Sequence, residues 1–195
     1  REQKIERIRQ IGKALAHIHE SRSFEGFGTI QTLNNEIIGT SSSNWSEGLR
    51  EIQHFWHQHV GGQEFEEINQ EIEDYYSEKE EVLDKVDRSV LIHQEIGFHN
   101  LLFQEDSVTV IDWESAGAGD SLLDVITAEV ILFWFQGLKE ELREEFRQAY
   151  LSVREIKFDE ELIEIYRLVE LSRLLMIFDD EDKVDRIRDE IESIV

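Results

Sequence analysis

Residues 91–114, which read LIHQEIGFHNLLFQEDSVTVIDWE, constrain the fold of this chain more than any other segment. A short apolar run opens the segment, and two further apolar runs, at positions 101–103 and 108–111, are separated by the polar residues QEDS. Short apolar runs joined by a polar turn predict a β-hairpin. Because a hairpin folds back on itself, we expect the residues at its two ends, Asn100 and Asp112, to lie side by side.

Three side chains of this segment suit phosphoryl transfer. Glu95 and Asn100 are five residues apart in a loop after the first apolar run, and Asp112 directly follows the last one. A carboxylate beside a reacting hydroxyl can accept its proton, whereas an amide and a carboxylate oxygen are ligands that Mg²⁺ accepts. The spacing therefore predicts one small site in which a base and two metal ligands meet.

Each of these residues also has a simpler explanation. Glu95 could be an exposed loop residue in an acidic chain, Asn100 could form an Asx turn that leads into the hairpin, and Asp112 could cap the next turn. These explanations leave the common spacing of the three residues unaccounted for, so we favour the site.

Composition predicts one globular domain over residues 1–195. A chain of this length with 40% hydrophobic residues can bury a sizeable core. Cysteine is absent, which excludes disulfides and thiolate metal sites and favours a cytoplasmic location. The longest strongly apolar run, at 125–135, is too short to span a bilayer, so we expect no membrane partner.

The formal net charge of −24 argues against a nucleic-acid partner, because phosphate backbones are bound by basic surfaces. Two explanations of the charge compete. An acidic cleft would attract a cationic substrate, whereas a solvated acidic surface would have no part in recognition. The acids are spread along nearly every predicted helix, which favours the surface explanation.

Helical periodicity covers both ends of the chain, on either side of the hairpin. We predict an α+β fold, mainly α, consisting of a helical bundle with a small β-hairpin that carries the catalytic and metal loops. The Gly-, Ser- and Asn-rich stretch at 21–44 is predicted to be a long loop, and Ser121 the N-cap of a buried apolar helix. The predicted helices cover about 5–18, 46–60, 63–87, 121–135, 139–153, 159–178 and 180–194, with Asp159 and Asp180 as caps of the last two.

Three motifs resemble those of the aminoglycoside phosphotransferase and choline kinase family. That family typically shows H-G-D-x-x-x-x-N, I-D-[WF]-E and G-D-P-x-x-D, and this chain has HQEIGFHN from His93, IDWE from Ile111 and GDSLLD from Gly119. The resemblance implies a kinase-like fold, ATP or GTP as the phosphate donor, and Mg²⁺. It also implies a small-molecule hydroxyl acceptor, which would be cationic if the acceptor pocket is acidic.

The resemblance also assigns roles to single residues. Glu95 would be the catalytic base, and Asn100 and Asp112 would hold the Mg²⁺ that bridges the nucleotide phosphates. The nucleotide-binding residues stay unassigned.

Three further residues would support the site without taking part in the chemistry. His93 would brace the catalytic loop from a buried position. Asp124 would accept hydrogen bonds from backbone N–H groups of that loop, and Asp120 would cap or close its own turn.

The chain departs from the family pattern in ways that bear on activity. The resemblance covers only the carboxy-terminal lobe of a kinase, and nothing before Ile5 supplies an amino lobe with its phosphate-covering loop and lysine. Position 95 is Glu where the family has Asp, and a displacement of about 1 Å can lower a rate roughly a hundredfold. Phe98 and Ser121 stand where the family often has Pro.

A second hypothesis follows from these departures. The chain would then be a catalytically impaired, pseudokinase-like lobe or an engineered scaffold that acts as a binding module. The absence of proline and the Glu at the base position favour this alternative. Apolar residues on the face that an amino lobe would cover would then favour self-association.

Overall fold

Helices account for 59% of the computed structural model, which describes residues 2–34, 36–60, 66–178 and 180–195. The fold is mixed α/β and mainly helical, as the sequence predicts. None of the helices in the described ranges has both the length and the apolar character needed to cross a membrane. The helices are α1 (Glu2–Ser21), α2 (Trp45–Val60), α3 (Glu66–Glu78), α4 (Glu80–Leu83), α5 (Ser121–Glu129), α6 (Glu140–Leu151), α7 (Glu160–Ile177) and α8 (Glu181–Glu192).

The strands form one antiparallel five-stranded sheet and a separate two-stranded sheet. The order in the larger sheet is β1-β4-β7-β2-β3, and β5 pairs with β6 in the smaller one. The strands are β1 (Ser23–Phe24), β2 (Phe27–Leu33), β3 (Glu36–Ser42), β4 (Ser89–Ile92), β5 (Leu101–Phe103), β6 (Val108–Val110) and β7 (Gly117–Gly119).

The prediction of a long loop at 21–44 is wrong, because this stretch forms β1, β2 and β3. β2 and β3 pair as an antiparallel hairpin with two irregularities in register. Gly and Ser obscure the signal, but β-branched residues such as Thr29, Ile30 and Ile37 favour extended backbone. Asn34 follows β2 with a φ of 52°, a left-handed conformation that Asn tolerates better than most residues.

Two predicted helix boundaries are also corrected. Asp120, and not Ser121, is the N-cap of α5, because its extended backbone lets its carboxylate accept from the N–H of Leu122 at 3.0 Å. The helix predicted at 63–87 is divided into α3 and α4 at Lys79, whose backbone leaves helical geometry at φ −104° and ψ 10°. Positions 63–65 of that prediction lie outside the described residues.

The first and last parts of the chain follow their sequence patterns more closely. α1 buries Ile8, Ile11 and Leu15 along one face, as its helical spacing requires. This face packs on α6 so closely that a Cβ at Gly12 would lie 2.5 Å from the carbonyl oxygen of Phe146. The predicted caps of α7 and α8 are present, since the carboxylate of each accepts from a backbone N–H in the first turn of its helix.

α5 is enclosed by other elements, and all nine of its residues are buried. A π-helical segment, Val130–Phe135, continues it. α5 contacts α7 on one side and β4 on another. A polar side chain on α5 can therefore reach the loop that follows β4, and this determines where the candidate site is held.

Candidate active site

Asp124 of α5 fixes the backbone at the end of β4. Its two carboxylate oxygens accept hydrogen bonds from the N–H groups of His93 and Gln94, at 2.6 and 2.7 Å. The carboxylate is fully buried, so its charge is compensated by these donors and by His19, whose Nε2 lies 3.2 Å away. Charge-assisted bonds of this kind are stronger than neutral ones. The side chain of Asp124 therefore holds the first two residues of the loop after β4.

His93 joins this loop to the strand end that precedes Asp112. Its buried ring accepts from the N–H of Glu95 at Nδ1, over 3.3 Å, so the ring proton is on Nε2. Nε2–H then donates to the carbonyl oxygen of Ile111 at 2.9 Å. The ring also packs against Trp113 in a T-shaped arrangement, with centroids 4.8 Å apart. This neutral tautomer connects two loops that are 18 residues apart in sequence.

The carboxylate of Glu95 is partly exposed and is held on one side only. Its Oε1 lies 3.2 Å from Nε2 of His99 and 3.4 Å from a guanidinium nitrogen of Arg173. Its Oε2 has no hydrogen-bond partner within the described parts of the chain. One oxygen is thus anchored, and the other is left to meet a ligand.

Asn100 and Asp112 lie at the two ends of the β5–β6 hairpin. Leu101 pairs with Val110, and one step further the N–H of Ile111 donates to the carbonyl oxygen of Asn100 at 3.0 Å. The amide nitrogen of Asn100 donates to the carbonyl oxygen of Glu95 at 3.1 Å, which leaves its amide oxygen for another partner. The structure therefore brings together Glu95, Asn100 and Asp112.

This donor set fits Mg²⁺ bound with a nucleotide better than it fits a metal held by protein alone. Asp112 is exposed, and among the described residues its carboxylate has no hydrogen-bond or ion-pair partner. No group of three or more His, Asp or Glu side chains in the described ranges could hold a metal ion. Mg²⁺ in phosphotransfer sites usually takes one or two protein oxygens and completes its shell with phosphates and water. Asn100 and Asp112 could supply those two oxygens.

Gln94 is a residue of this site that the sequence prediction passed over. It has a φ of 70°, and Asp112 has one of 67°, so both residues are in the left-handed region that favours Gly. The H-G-D pattern of the family has Gly where this chain has Gln94, and that difference could have drawn attention to the backbone at this position. Here the backbone conformation is kept without the Gly.

A second layer of buried polar residues lies behind Asp124, and the sequence prediction missed its contacts. His19 of α1 bonds Asp124 through Nε2 and the hydroxyl of Tyr150 through Nδ1, at 2.7 Å. Burial raises the pKa of the Tyr150 hydroxyl, so it stays protonated and available as a hydrogen-bond partner. These hydrogen bonds link α1 to α5 and α6, across 105 and 131 positions of sequence.

Asp120 does not lie beside Glu95, Asn100 and Asp112. It follows Gly119, which pairs with Val90 at the start of β4. The loop that carries Glu95 follows the opposite end of β4. Besides capping α5, Asp120 accepts from the hydroxyl of Tyr166 at 2.8 Å, and that hydroxyl accepts from the indole N–H of Trp45 at 2.7 Å. The position agrees with the predicted turn-closing role.

Two small cavities open beside the candidate site and share Ile52 and Gln94. One lies against α7, where its wall includes Arg173 and Met176. The other lies between β2 and the residues after Asp112, with Thr29, Glu114 and Ser115 in its wall. Both polar and apolar groups therefore approach the loop that carries Glu95.

Residues 1–163 match the profile of the phosphotransferase enzyme family (APH). The matched range is well over half of the 195 residues. The chain belongs to the phosphotransferase enzyme family. The sequence pattern around Glu95 therefore predicted the family correctly. Comparison with curated proteins by sequence gives no significant match.

Solved structures similar to this chain include kinases of several small molecules. The choline kinase LicA from Streptococcus pneumoniae is 15% identical with a TM-score of 0.62, over 95% of this chain and 63% of that one. A thermostable mutant of the aminoglycoside phosphotransferase APH(4)-Ia is 18% identical with a TM-score of 0.64, over 100% and 66%. The microcompartment-associated aminopropanol kinase is 21% identical with a TM-score of 0.60, over 97% and 60%.

Because the sequence identities are only 15 to 21%, these comparisons show a shared fold and nothing finer. This chain spans 60 to 66% of the length of these three proteins, which is less than two thirds.

Proposed function

We propose that this chain is the carboxy-terminal lobe of a small-molecule kinase, which transfers the γ-phosphate of a nucleoside triphosphate to a hydroxyl group. The observation that carries the proposal is the convergence of Glu95, Asn100 and Asp112 at the ends of β4 and of the β5–β6 hairpin. Two metal-ligand oxygens and a carboxylate in one place are the parts that phosphoryl transfer requires on this side of the nucleotide.

Each residue has a definite role in the proposed reaction. Glu95 accepts the proton of the acceptor hydroxyl while that oxygen forms a bond to the γ-phosphorus. The bond from phosphorus to the bridging oxygen breaks, and the nucleoside diphosphate leaves with the electron pair. Mg²⁺ held by Asn100 and Asp112 would neutralise charge on the phosphate oxygens.

The surrounding residues act by holding these groups in place. Asp124 and His93 hold the backbone of residues 93–95 and tie it to Ile111 through four hydrogen bonds of 2.6 to 3.3 Å. A misplacement of about 1 Å can cost a hundredfold in rate, so this support is part of the mechanism.

ATP is the donor that the structural neighbours support best. Structures of APH(4)-Ia hold AMP-PNP or ADP together with hygromycin B. The acceptor is expected in the two cavities beside Gln94, where the carboxylate of Glu114 and the hydroxyls of Thr29 and Ser115 could contact amines or hydroxyls. This environment favours a small polar acceptor, and a cationic one in particular.

The test is a phosphotransfer assay with ATP and GTP, in Mg²⁺ and in EDTA. The acceptors would be choline, aminopropanol, hygromycin B and an uncharged polyol. We expect Mg²⁺-dependent transfer that falls at least about tenfold in Asp112→Asn, because a metal ligand matters at least as much as its supporting residues. Asp106→Asn, in the exposed turn of the same hairpin, is the control and should keep full activity. Absence of Mg²⁺-dependent transfer to every acceptor would support the non-catalytic binding module instead.

A further inference from the structure

Arg173 of α7 connects the candidate base to a buried ion pair. Its guanidinium donates to both carboxylate oxygens of Glu170, at 2.9 and 2.5 Å, and its remaining terminal nitrogen lies 3.4 Å from Oε1 of Glu95. Arg173 is 5% exposed and Glu170 is 1% exposed. The pair therefore forms a fixed point next to the loop, since the bidentate fork leaves the guanidinium little freedom.

The length of the Glu95 side chain is what makes this contact possible. An Asp at position 95 would retract the carboxylate by about 1.5 Å, the length of one carbon–carbon bond. The contact to Arg173 is already 3.4 Å long, so that retraction would take it beyond hydrogen-bond reach. The contact to His99, at 3.2 Å, would be lost in the same way.

Both contacts are made to the same oxygen of Glu95. Oε1 faces Arg173 and His99, whereas Oε2 has no partner in the described part of the molecule. An oxygen that is already bonded to two donors is a poor acceptor for a further proton, and the second oxygen is left available.

We propose that Arg173 is a positioning residue that makes Glu serve in place of Asp: it anchors Oε1 and thereby presents Oε2 as the atom that accepts the hydroxyl proton. The inference rests on the proposed kinase reaction. Glu95 and Arg173 are thus a matched pair, in which the longer carboxylate and its anchor compensate for each other. Because Glu170 neutralises Arg173, the anchor acts by geometry and adds little net charge to the site.

The test is a double-mutant cycle on kcat. Removing Arg173 alone would strand the buried Glu170, so both members are replaced together, as Glu170→Met with Arg173→Met. With Glu95 in place, this change should lower kcat about 10- to 100-fold, while KM for the acceptor stays within about twofold. In the Glu95→Asp background, the same change should alter kcat less than about twofold. An equal loss of kcat in both backgrounds would mean that Arg173 serves only the fold.

A stability readout decides the inference if the chain transfers no phosphate. In that case the proposed function fails for this polypeptide, but the Glu95–Arg173 contact can still be measured through the urea midpoints of the same four proteins. Replacing the pair should change the midpoint by a different amount with Glu95 than with Asp at that position. Identical changes would show that the two residues are uncoupled and would overturn the proposal.

Discussion

The Nε2–H of His93 donates to the carbonyl oxygen of Ile111 at 2.9 Å, and this bond ties the loop that carries Glu95 to the strand end that precedes Asp112. The same ring accepts from the N–H of Glu95. A single neutral imidazole thus sets the spacing between the two halves of the site. Asp124 holds the backbone of His93 from the other side.

Asp124→Asn should destabilise the protein by about 2–3 kcal/mol. The substitution removes the charge from a carboxylate that accepts two backbone N–H bonds and faces His19, and hydrogen bonds to charged groups contribute this much. The measurement is the free energy of unfolding in urea. Asp185→Asn, on the exposed part of α8, is the matched control and should leave that free energy nearly unchanged. If Asp124→Asn and wild type have equal free energies of unfolding, Asp124 does not support the loop after β4.

Gln94→Gly should give a more stable protein than Gln94→Ala, by about 1–2 kcal/mol. Both variants lose the same buried side chain, but only Gly relieves the left-handed backbone at φ 70°. Comparing the two variants separates backbone strain from side-chain packing. If the Ala variant matches or exceeds the Gly variant in urea unfolding, the backbone at position 94 is not strained.

Asp120 should make stability depend on pH in a direction opposite to that of most acids. Burial raises the pKa of its carboxyl group, so the folded state binds the proton more tightly than the unfolded state. Its contribution to the free energy of unfolding is therefore greatest at low pH and falls as the pH rises above about 3.9 through the folded-state pKa. In Asp120→Asn this contribution is absent.

The measurement is urea unfolding of wild type and Asp120→Asn across acidic pH. The stability of wild type relative to the variant should decline as the pH rises. If the difference in unfolding free energy between wild type and variant stays constant or grows with pH, burial does not raise the pKa of the Asp120 carboxyl group.

Local patterns predicted that the candidate site residues of one segment would lie together. Glu95, Asn100 and Asp112 converge because two short apolar runs fold into a hairpin, and both the runs and the polar turn are visible in the sequence. The caps of α7 and α8 were predicted for the same reason, since a capping carboxylate acts within one helical turn.

Long-range contacts were beyond these patterns. Arg173 reaches Glu95 across 78 positions, and His19 reaches Asp124 across 105, and neither pairing leaves a periodic signal. The β2–β3 hairpin was missed because its pairing depends on β7 and α2, which pack against β2. Tertiary context here overrides the Gly and Ser content of the strands.

Locating a paramagnetic metal in the presence of nucleotide tests the proposed metal–nucleotide site most directly. Mn²⁺ replaces Mg²⁺, ATP is added in excess so that scattered acidic residues do not compete, and backbone amide signals are followed by NMR. We expect the strongest broadening at Glu95, Asn100 and Asp112, and we expect Asp112→Asn to abolish it while Asp106→Asn does not. Broadening spread over the acidic helices, or unchanged in Asp112→Asn, would contradict a metal–nucleotide site at the ends of the hairpin.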